Sequence, residues 1–399
     1  MPVWRHSSSR HYFRRCFMPN QPLVPFPVIG IIVMALAGFL NGCLAGRIFR
    51  CRKFWAAGAV WGGISALSAA LYGWYALAYV NYGEWLLFMV YLACAWMILT
   101  LILPVPLILM WLISLAGKGH IWICGAVIFC GAAAFFTGIY GTVHGDRTES
   151  IEQVELSVEN LPPAFDGFRI ALLTDTHIGP YYHYADLDAD LYQAYADKAD
   201  MVAIGGDLID DIRMMPDTAR VLTARSGLFP YGIYYVWGNH EYYRNKAYIG
   251  SELEKTPVHM LVNSHKSISR SGEKLYIAGA DYPWGPKNQI HDEEEKMADQ
   301  AFSGIPSGSA VVFMAHHSDF ITEGMERQAF LTLTGHTHGG QTGINGRALF
   351  PIYEYMRGLY GGNGIYGYVS RGTGHWFPFR LGCSREMTIF TLHSMQRVS

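Results

Sequence analysis

Four long windows without a charged side chain fill the first 145 residues of this 399-residue chain. They hold 31, 30, 33 and 27 residues and are bounded by Arg15 and Arg47, Lys53 and Glu84, Glu84 and Lys118, and Lys118 and Asp146. A helix that crosses the hydrocarbon core needs about 20 apolar residues, so each window holds one span and none holds two spans with a turn. The sequence therefore predicts four transmembrane helices.

The predicted spans lie at approximately 26–46, 56–79, 86–114 and 121–142. Pro104 and Pro106 are expected to kink the third span rather than split it. A buried helical bundle in a soluble protein is the alternative, but windows that are apolar on every face favour a bilayer. Glycine and alanine recur through 54–70, which indicates close helix packing. The spans contain no Asp, Glu, Lys or Arg, so they are expected to act as an anchor.

The orientation follows from the basic residues of the short loops. The first loop carries Arg47, Arg50, Arg52 and Lys53, the second carries only Glu84, and the third carries Lys118. Basic loops face the cytoplasm, so the domain after the fourth span is expected on the extracytoplasmic face of a bacterial inner membrane. The arginines of the N-terminal tail oppose this orientation, and translation from Met18 instead of Met1 would remove them.

The composition divides the chain into a tail (1–25), a membrane anchor (26–145) and a soluble domain (146–399). Residues 1–150 contain ten Lys+Arg and three Asp+Glu, a balance of +7, so the total of −2 leaves −9 for residues 151–399. An acidic domain is unsuited to general nucleic-acid binding, which needs a basic surface. The domain contains one cysteine, Cys383, and therefore no internal disulfide. The oligomeric state stays open.

In the soluble domain, five short β-branched or aromatic segments end directly in polar clusters. The clusters are Asp175-Thr176-His177 after 168–174, Gly206-Asp207 after 201–205, Gly238-Asn239-His240-Glu241 after 232–237, His316-His317 after 310–315, and Gly335-His336-Thr337-His338-Gly339-Gly340 after 330–334. Segments of this kind are buried on both faces, which predicts α/β layers around a central pair of sheets with the clusters at one rim. Further strands are expected at 274–280, 365–370 and 387–393, helices at 184–199 and 210–225, and a linker with the first strand at 146–166.

The clusters contain the ligands that divalent metal ions prefer, namely carboxylate oxygen, amide oxygen and neutral imidazole. Asp175 and His177, one residue apart on an extended backbone, point to the same side and can hold one ion. Asp207 can bridge two ions because its oxygens diverge, and Asn239 offers a neutral oxygen to the second. The two imidazoles of the Gly-His-Thr-His-Gly motif can reach one ion each.

Through these clusters, residues from about 153 to 393 resemble the calcineurin-like metallophosphoesterase family, specifically its bacterial membrane-associated branch. The segment Val369-Ser370-Arg371-Gly372-Thr373-Gly374, with Arg380 and Glu386, is similar to the C-terminal end of that branch. The resemblance implies a four-layer α/β/β/α sandwich with two divalent ions, Mn, Fe, Zn or a mixture, at its rim. The family commonly has proline where this chain has Ser318. His316 and His317 are both candidates for the histidine of that motif, and the spacing favours His316.

The resemblance also implies residue roles and a reaction. The first ion would be held by Asp175, His177, Asp207 and His338, and the second by Asp207, Asn239, His316 and His336. His240 would face the leaving group as a proton donor, oriented by Asp210. The implied reaction is hydrolysis of a phosphoester or phosphoanhydride by a hydroxide held between the ions.

The substrate is less constrained than the chemistry. The membrane anchor favours a lipid-linked phosphate, and a phosphorylated small molecule stays open. Aromatic residues in the loops can line a pocket or lie against the bilayer interface: Tyr181, Tyr182, Tyr282, Trp284, Tyr353, Tyr355, Tyr360, Trp376 and Phe377. The alternatives are a catalytically silent metal-binding sensor or scaffold, disfavoured by the complete ligand set, and a transporter, disfavoured by the uncharged spans.

Overall fold

A computed structural model of the protein describes residues 26–78, 84–115, 119–285 and 289–395. The predictions for the N-terminal tail, including Met18, and for Lys118 lie outside these residues. The chain forms two compact units. One contains residues up to 77 together with 96–135, and the other contains 78–95 together with 136–399.

Five apolar helices form the first part of the described chain. They are α1 (Phe26–Ile48), α2 (Phe54–Ala78), α3 (Glu84–Ile102), α4 (Pro104–Ser114) and α5 (His120–Arg147). Four segments are long and apolar enough to cross a membrane, and they agree with the four predicted spans: Val28–Ile48, Phe54–Ala76, Trp85–Ile102 and His120–Gly145.

The third predicted span is divided into two helices. α3 ends at Ile102 and α4 begins at Pro104, because Pro104 and Pro106 have no N–H to continue the hydrogen-bond ladder. Leu103 between them keeps helical angles, with φ −68° and ψ −25°. The N–H of Leu103 donates to the carbonyl of Leu99 at 3.0 Å and that of Leu107 to the carbonyl of Leu103 at 3.1 Å, so helical geometry continues through this interruption, as predicted. The 11 residues of α4 span about 16 Å, which is too short to cross a membrane alone.

Small residues bring α1 and α2 close together, as the recurrence of glycine and alanine predicts. A Cβ atom on Gly42 would overlap the carbonyl of Ala57, and one on Gly62 would lie 2.9 Å from the carbonyl oxygen of Ala35. The buried side-chain amide of Asn41 donates to the carbonyl of Thr100 at 2.8 Å, so this polar group has a partner within the helices.

Two six-stranded mixed sheets form the centre of the second unit. In chain order the strands are β1 (Glu149–Val158), β2 (Arg169–Leu173), β3 (Met201–Ile204), β4 (Ile233–Tyr235), β5 (His259–Met260), β6 (Ser264–Arg270), β7 (Glu273–Gly279), β8 (Val311–Met314), β9 (Leu331–Thr334), β10 (Gly343–Ile344), β11 (Arg347–Ala348), β12 (Gly358–Gly362), β13 (Ile365–Val369) and β14 (Arg385–Ser394). The first sheet has the order β1-β14-β2-β3-β4-β5 and the second β12-β13-β9-β8-β7-β6, while β10 and β11 form a separate hairpin. The five strands predicted before the polar clusters are confirmed to within two residues.

Helices cover the outer face of each sheet. They are α6 (Tyr184–Ala196), α7 (Met215–Ser226), α8 (Asn239–Arg244), α9 (Lys246–Leu253), α10 (Ile290–Phe302) and α11 (Phe320–Glu326). Side chains alternate along β2, so Ile170 and Leu172 pack between the two sheets while Ala171 and Leu173 pack under α6 and α7. A third core joins the second sheet to α10 and α11. These layers confirm the predicted α/β/β/α sandwich.

The connection between the membrane helices and the sandwich is shorter than expected. α5 continues to Arg147 and β1 begins at Glu149, so Thr148 alone separates them. β1 then pairs in parallel with β14 over its whole length. The predicted helix at 210–225 is a 3₁₀ turn at Ile212–Met214 followed by α7, in which Pro216 occupies the first turn.

Candidate metal centre

Seven potential metal ligands lie where strands of the two sheets end. Asp175 and His177 follow β2, Asp207 follows β3, Asn239 follows β4, His316 follows β8, and His336 and His338 follow β9. These strands run parallel within each sheet, so their carboxyl ends meet at one edge. The strand ends therefore place all seven residues that the sequence predicts as ligands at the same edge.

The first group of ligand atoms comes from Asp175, His177 and His338. The Nε2 atoms of His177 and His338 lie 3.1 Å apart. Oδ1 of Asp175 lies 3.5 Å from Nε2 of His338. All three side chains are buried and their ligand atoms lie within 4.8 Å of one another, so they can hold a metal ion.

The second group comes from Asp207, His316 and His336. Nε2 of His316 lies 3.2 Å from Oδ2 of Asp207 and 3.2 Å from Nδ1 of His336. The same Oδ2 atom lies 3.6 Å from Nε2 of His177 in the first group. Asp207 is therefore placed between the two groups, where a shared ligand is needed.

The hydrogen bonds around the second group fit a metal ion. Nδ1 of His316 lies 2.8 Å from the carbonyl of Gly205, to which it can donate, and Nε2 of His336 lies 3.0 Å from the hydroxyl of Tyr353. With these protons in place, the remaining nitrogens direct lone pairs at each other beside a carboxylate. Oδ1 of Asn239 is also buried without a hydrogen-bond partner. A cation would accept these lone pairs, and the donor set is that of divalent metals.

Five of the seven residues adopt the left-handed backbone region. The φ angles are 53° for Asp175, 48° for His177, 51° for Asp207, 71° for His336 and 48° for His338. The expectation that Asp175 and His177 share an extended backbone is therefore wrong. Each such residue costs about 1–3 kcal/mol and persists only where its surroundings fix it. Here the N–H of Asp175 donates to Gly206 at 3.0 Å and that of His177 to Asp207 at 2.9 Å.

Glu241 ties the loops after β3 and β4 together, a role that the sequence analysis did not assign. Its Oε1 accepts the N–H of Leu208 at 2.6 Å, and its Oε2 accepts the N–H of Gly238 at 2.9 Å. The side chain is completely buried. Its position two residues after Asn239 was the available signal, because an acid in the first turn of a helix can bond neighbouring N–H groups.

His240 and Asp210 form a hydrogen-bonded pair beside the two groups. Nδ1 of His240 lies 2.6 Å from Oδ1 of Asp210, and Nε2 of His240 lies 3.9 Å from Oδ2 of Asp207. The other oxygen of Asp210 lies 3.4 Å from Nδ1 of His177. Asp210 thus contacts both a potential ligand and His240, and Arg244 lies 3.2 Å from the same carboxylate.

The structure separates the adjacent residues His316 and His317. His316 is completely buried within the second group of ligand atoms. Nδ1 of His317 instead lies 3.0 Å from Oε1 of Glu294 on α10. The choice of His316 by spacing agrees with this placement.

Arg380 contacts the potential ligand His338 on its Nδ1 side, away from the other ligand atoms. Its guanidinium is buried, donates to the carbonyl of Gly374 at 2.8 Å and lies 3.4 Å from Nδ1 of His338. Its backbone N–H donates to the carbonyl of Gly141 in α5 at 2.9 Å. The end of α5 therefore contacts a residue that touches a potential metal ligand.

Electrostatics favour the ligand protonation states at His336, His338 and Asp207, whereas Asp207 and Asp175 outweigh burial and raise the pKa of His316 to about 10. Burial lowers the pKa of His336 and of His338 well below the usual range, which keeps both imidazoles neutral. Burial opposes ionisation of Asp207, but His316 and His240 outweigh it and hold the pKa of this carboxyl well below its usual range. Neutral imidazole and ionised carboxylate are the ligand forms.

Aromatic rings surround the edge of the centre. Tyr282 lies with its ring centroid 5.7 Å from that of His336, and Tyr243 lies 5.8 Å from His240. Trp284 contacts both tyrosines, at 5.3 and 5.5 Å. Tyr282, Trp284 and Tyr353 were candidates from the sequence, whereas Tyr243 was not. Tyr182, another candidate, is buried and donates to Asp190.

Comparison with known proteins agrees with this centre. The sequence profile of the calcineurin-like phosphoesterase family matches residues 168–340, which include all seven potential ligands together with His240 and Asp210. Residues 168–340 are a calcineurin-like phosphoesterase domain. The predicted family is confirmed, and such domains are metal-dependent.

Relatives occur in bacteria and in animals, so the comparisons support the family but not the predicted restriction to a bacterial branch. The chain is 28% identical over 272 residues to the uncharacterized metallophosphoesterase YkuE of Bacillus subtilis, an alignment covering 64% of this chain and 91% of that protein. It is 27% identical over 278 residues to the transmembrane protein with metallophosphoesterase domain of Danio rerio, covering 64% of this chain and 60% of that protein. The Bos taurus protein of the same name is 28% identical over 273 residues, with the same two coverages. The alignments thus span less than two thirds of the vertebrate relatives.

The comparisons and the helices together identify a membrane protein. Two relatives are named transmembrane proteins, and four helices here are long and apolar enough to cross a bilayer.

Among solved structures, the chain is similar to the NAD nucleotidase of Haemophilus influenzae, with a TM-score of 0.36 and 17% identity over 53% of this chain and 51% of that chain. Similarity at this level does not extend to the substrate.

Proposed function

We propose that this protein is a membrane-anchored phosphoesterase that hydrolyses a phosphoester or phosphoanhydride bond with the help of two divalent ions. The observation that supports it is the pair of ligand groups joined at Asp207, with His240 beside them. When bound, two such ions activate water as a nucleophile and neutralise charge on the phosphoryl oxygens.

The ligands divide between the two ions by their positions. Asp175, His177, Asp207 and His338 would hold the first ion, and Asp207, Asn239, His316 and His336 would hold the second. The two groups of closely spaced ligand atoms support this division. The seven ligands include no thiolate, so Mn, Fe and Zn are the ions that suit the set.

His240 is the proton donor in this proposal. Burial opposes its protonation, but Asp210 and Asp207 outweigh burial and raise the pKa of His240 to about 9. Asp210 lies 2.6 Å from Nδ1 and orients the imidazole, so that Nε2 is the atom that would carry the transferable proton. Its Nε2 proton can be transferred to the departing oxygen of the substrate.

The substrate proposed is a phosphate or diphosphate group linked to a lipid. The membrane helices keep the site at a bilayer, and the aromatic rings around the centre suit an apolar or planar substituent. A phosphorylated small molecule is the second candidate. A screen of phospholipids, lipid diphosphates and nucleotides with the purified full-length protein distinguishes them, and turnover of nucleotides alone would exclude the lipid.

The proposed location of the domain is the extracytoplasmic face. Arg50, Arg52 and Lys53 are exposed in the loop between α1 and α2, as a cytoplasmic loop requires. Protease digestion of intact spheroplasts tests this location. Cleavage of the domain in intact spheroplasts supports it, and protection until lysis would contradict it.

Hydrolysis of bis(p-nitrophenyl) phosphate with added manganese tests the catalytic proposal. We expect turnover by the wild type, a large loss in Asp207→Ala and a smaller loss in His240→Ala, because p-nitrophenolate departs without a proton. His291→Ala is the matched control because this histidine is exposed and distant in sequence from the ligands. Equal rates in all four proteins would contradict the assignment. Stoichiometric metal binding without turnover of any substrate in the screen would favour the sensor.

A further inference from the structure

The hairpin β10–β11 and the four residues after it expose a cluster of large apolar side chains. We propose that this apolar hairpin, residues 343–352, docks against the surface of the lipid bilayer. The exposed fractions are 62% for Ile344, 44% for Leu349, 72% for Phe350 and 78% for Ile352. Soluble surfaces rarely expose four large apolar side chains within nine residues, and such patches mark interaction sites.

The exposure belongs to an ordered element. Asn345 and Gly346 have φ angles of 50° and 75°, which is the two-residue turn that closes tight hairpins. The pairs Gly343 with Ala348 and Ile344 with Arg347 form the ladder. Nε of Arg357 donates to the carbonyl of Gly346 at 2.9 Å and holds the tip in place. Ile344 is thus presented by the hairpin itself, and the N–H of Leu349 donates to the carbonyl of Thr342 at 3.1 Å, which fixes the start of the segment that carries Phe350 and Ile352.

A short chain of contacts joins the apolar hairpin to the membrane helix α5. The N–H of Gly343 donates to the carbonyl of Leu381 at 2.8 Å. The preceding residue, Arg380, donates to the carbonyl of Gly141, which lies inside the candidate span His120–Gly145. A Cβ atom on Gly141 would overlap the ring of Phe379. Residues 379–381 therefore contact both the apolar hairpin and the end of a candidate membrane span. A lipid bilayer is accordingly the apolar surface closest to the apolar hairpin.

The polar residues nearby also suit a lipid surface. Arg347 is the only charged residue between 343 and 352, and it is exposed. Trp376 is 44% exposed, and its neighbour Phe377 accepts a hydrogen bond from the side chain of Gln341 at 3.0 Å, just before the apolar hairpin. Tryptophan and arginine are favoured at the interface, where the ring is partly apolar and the guanidinium meets phosphate.

Docking would place the bilayer surface beside the candidate metal centre. Tyr353 follows the apolar hairpin directly, and its hydroxyl lies 3.0 Å from Nε2 of His336. A phosphate at the level of the lipid headgroups would then lie near the potential ligands. This consequence rests on the proposed function, whereas the docking itself does not.

Photocrosslinking to lipid tests the docking without reference to activity. Full-length protein with p-benzoylphenylalanine in place of Phe350 is reconstituted into vesicles of phosphatidylcholine and phosphatidylglycerol and irradiated. Val262 supplies the matched control position, because it is 42% exposed and lies between β5 and β6, edge strands at the ends of the two sheets. A thermal unfolding midpoint in detergent equal to that of the wild type shows that both variants are folded.

We expect lipid adducts at position 350 in at least about tenfold excess over position 262, as a difference between an immersed and a solvated site. Equal lipid yields at the two positions would overturn the proposal. A crosslink at 350 only to a second copy of the chain would also overturn it, in favour of a dimer interface. Absence of any adduct at 350 would do the same. A positive result with no hydrolysis of any substrate would uphold the docking and contradict the proposed function.

Discussion

The loops that carry the potential ligands and the apolar hairpin border the same centre but are built in opposite ways. In the ligand loops, polar side chains are buried and held by hydrogen bonds from neighbouring strands, as for Asp207 and His316. In the apolar hairpin, the backbone is held while Phe350 and Ile352 stay exposed. The contrast indicates that the ligand positions are fixed within the protein, and under the proposed docking access to the site would depend on the bilayer.

Asp207→Asn should have the largest effect, because it removes the one charge shared by both ligand groups while keeping the shape of the side chain. We expect a loss of kcat/KM of about 1,000-fold or more on every substrate, since the ions supply both nucleophile and charge stabilisation. Steady-state assays of soluble and vesicle-bound substrates measure it. A loss of kcat/KM under tenfold, or a loss confined to vesicle-bound substrate, would contradict the assignment of the chemistry to the ligand loops.

His240→Asn should reduce kcat by about 100- to 10,000-fold for substrates whose leaving oxygen needs a proton. The loss should be smaller for p-nitrophenyl esters, because p-nitrophenolate departs without protonation. Metal content should stay at the wild-type level. The informative readout is therefore the ratio of rates for alkyl and aryl esters. A loss independent of the leaving group would assign His240 a structural role.

The double substitution Phe350→Ser and Ile352→Ser should reduce hydrolysis only of substrate that is embedded in a membrane. We expect about a tenfold loss on vesicle-embedded substrate, because apolar area leaves the interface. Hydrolysis of a soluble aryl ester should be unchanged. Val262→Ser is the matched control and should change neither rate. Equal losses on both substrates would show that the apolar hairpin supports the centre itself.

Glu149 and Asp190 form an acidic pair outside the metal centre, and a substitution there should have the smallest effect. Burial and the neighbouring Asp190 raise the pKa of Glu149, at the start of β1, to about 7 from 4.5. The folded state therefore retains a proton that the unfolded state releases, and stability falls as the pH rises from about 4.5 through 7.

Glu149→Gln should remove that loss. We expect the variant to exceed the wild type by on the order of 1–2 kcal/mol above pH 7 and to match it near pH 4.5. Thermal unfolding in detergent at several pH values measures the difference. The exposed Glu159→Gln is the control. Metal addition should stabilise both proteins equally, and a metal-dependent difference would link the acidic pair to the centre.

The strands and the potential ligands were predictable because buried β segments and the polar residues that end them are contiguous in sequence. The strands that precede Asp175, Asp207 and His316 can be recognised from the local sequence alone. The left-handed backbone at Asp175 and His177 could not be anticipated, because their N–H groups donate to carbonyls of the loop after β3, which only folding brings near. Strands of two residues, such as β10 and β11, carry no periodic signal. The partner of His317 lies on α10, and only folding brings the two together.

Metal content tests the central claim most directly, namely that seven side chains from distant parts of the sequence hold two ions. The full-length protein is reconstituted with manganese, iron or zinc, freed of excess metal and analysed by elemental mass spectrometry. The account predicts two equivalents per folded chain in the wild type and fewer than two in Asp207→Asn. One equivalent or less in the wild type with every metal, or an unchanged value in the variant, would contradict it.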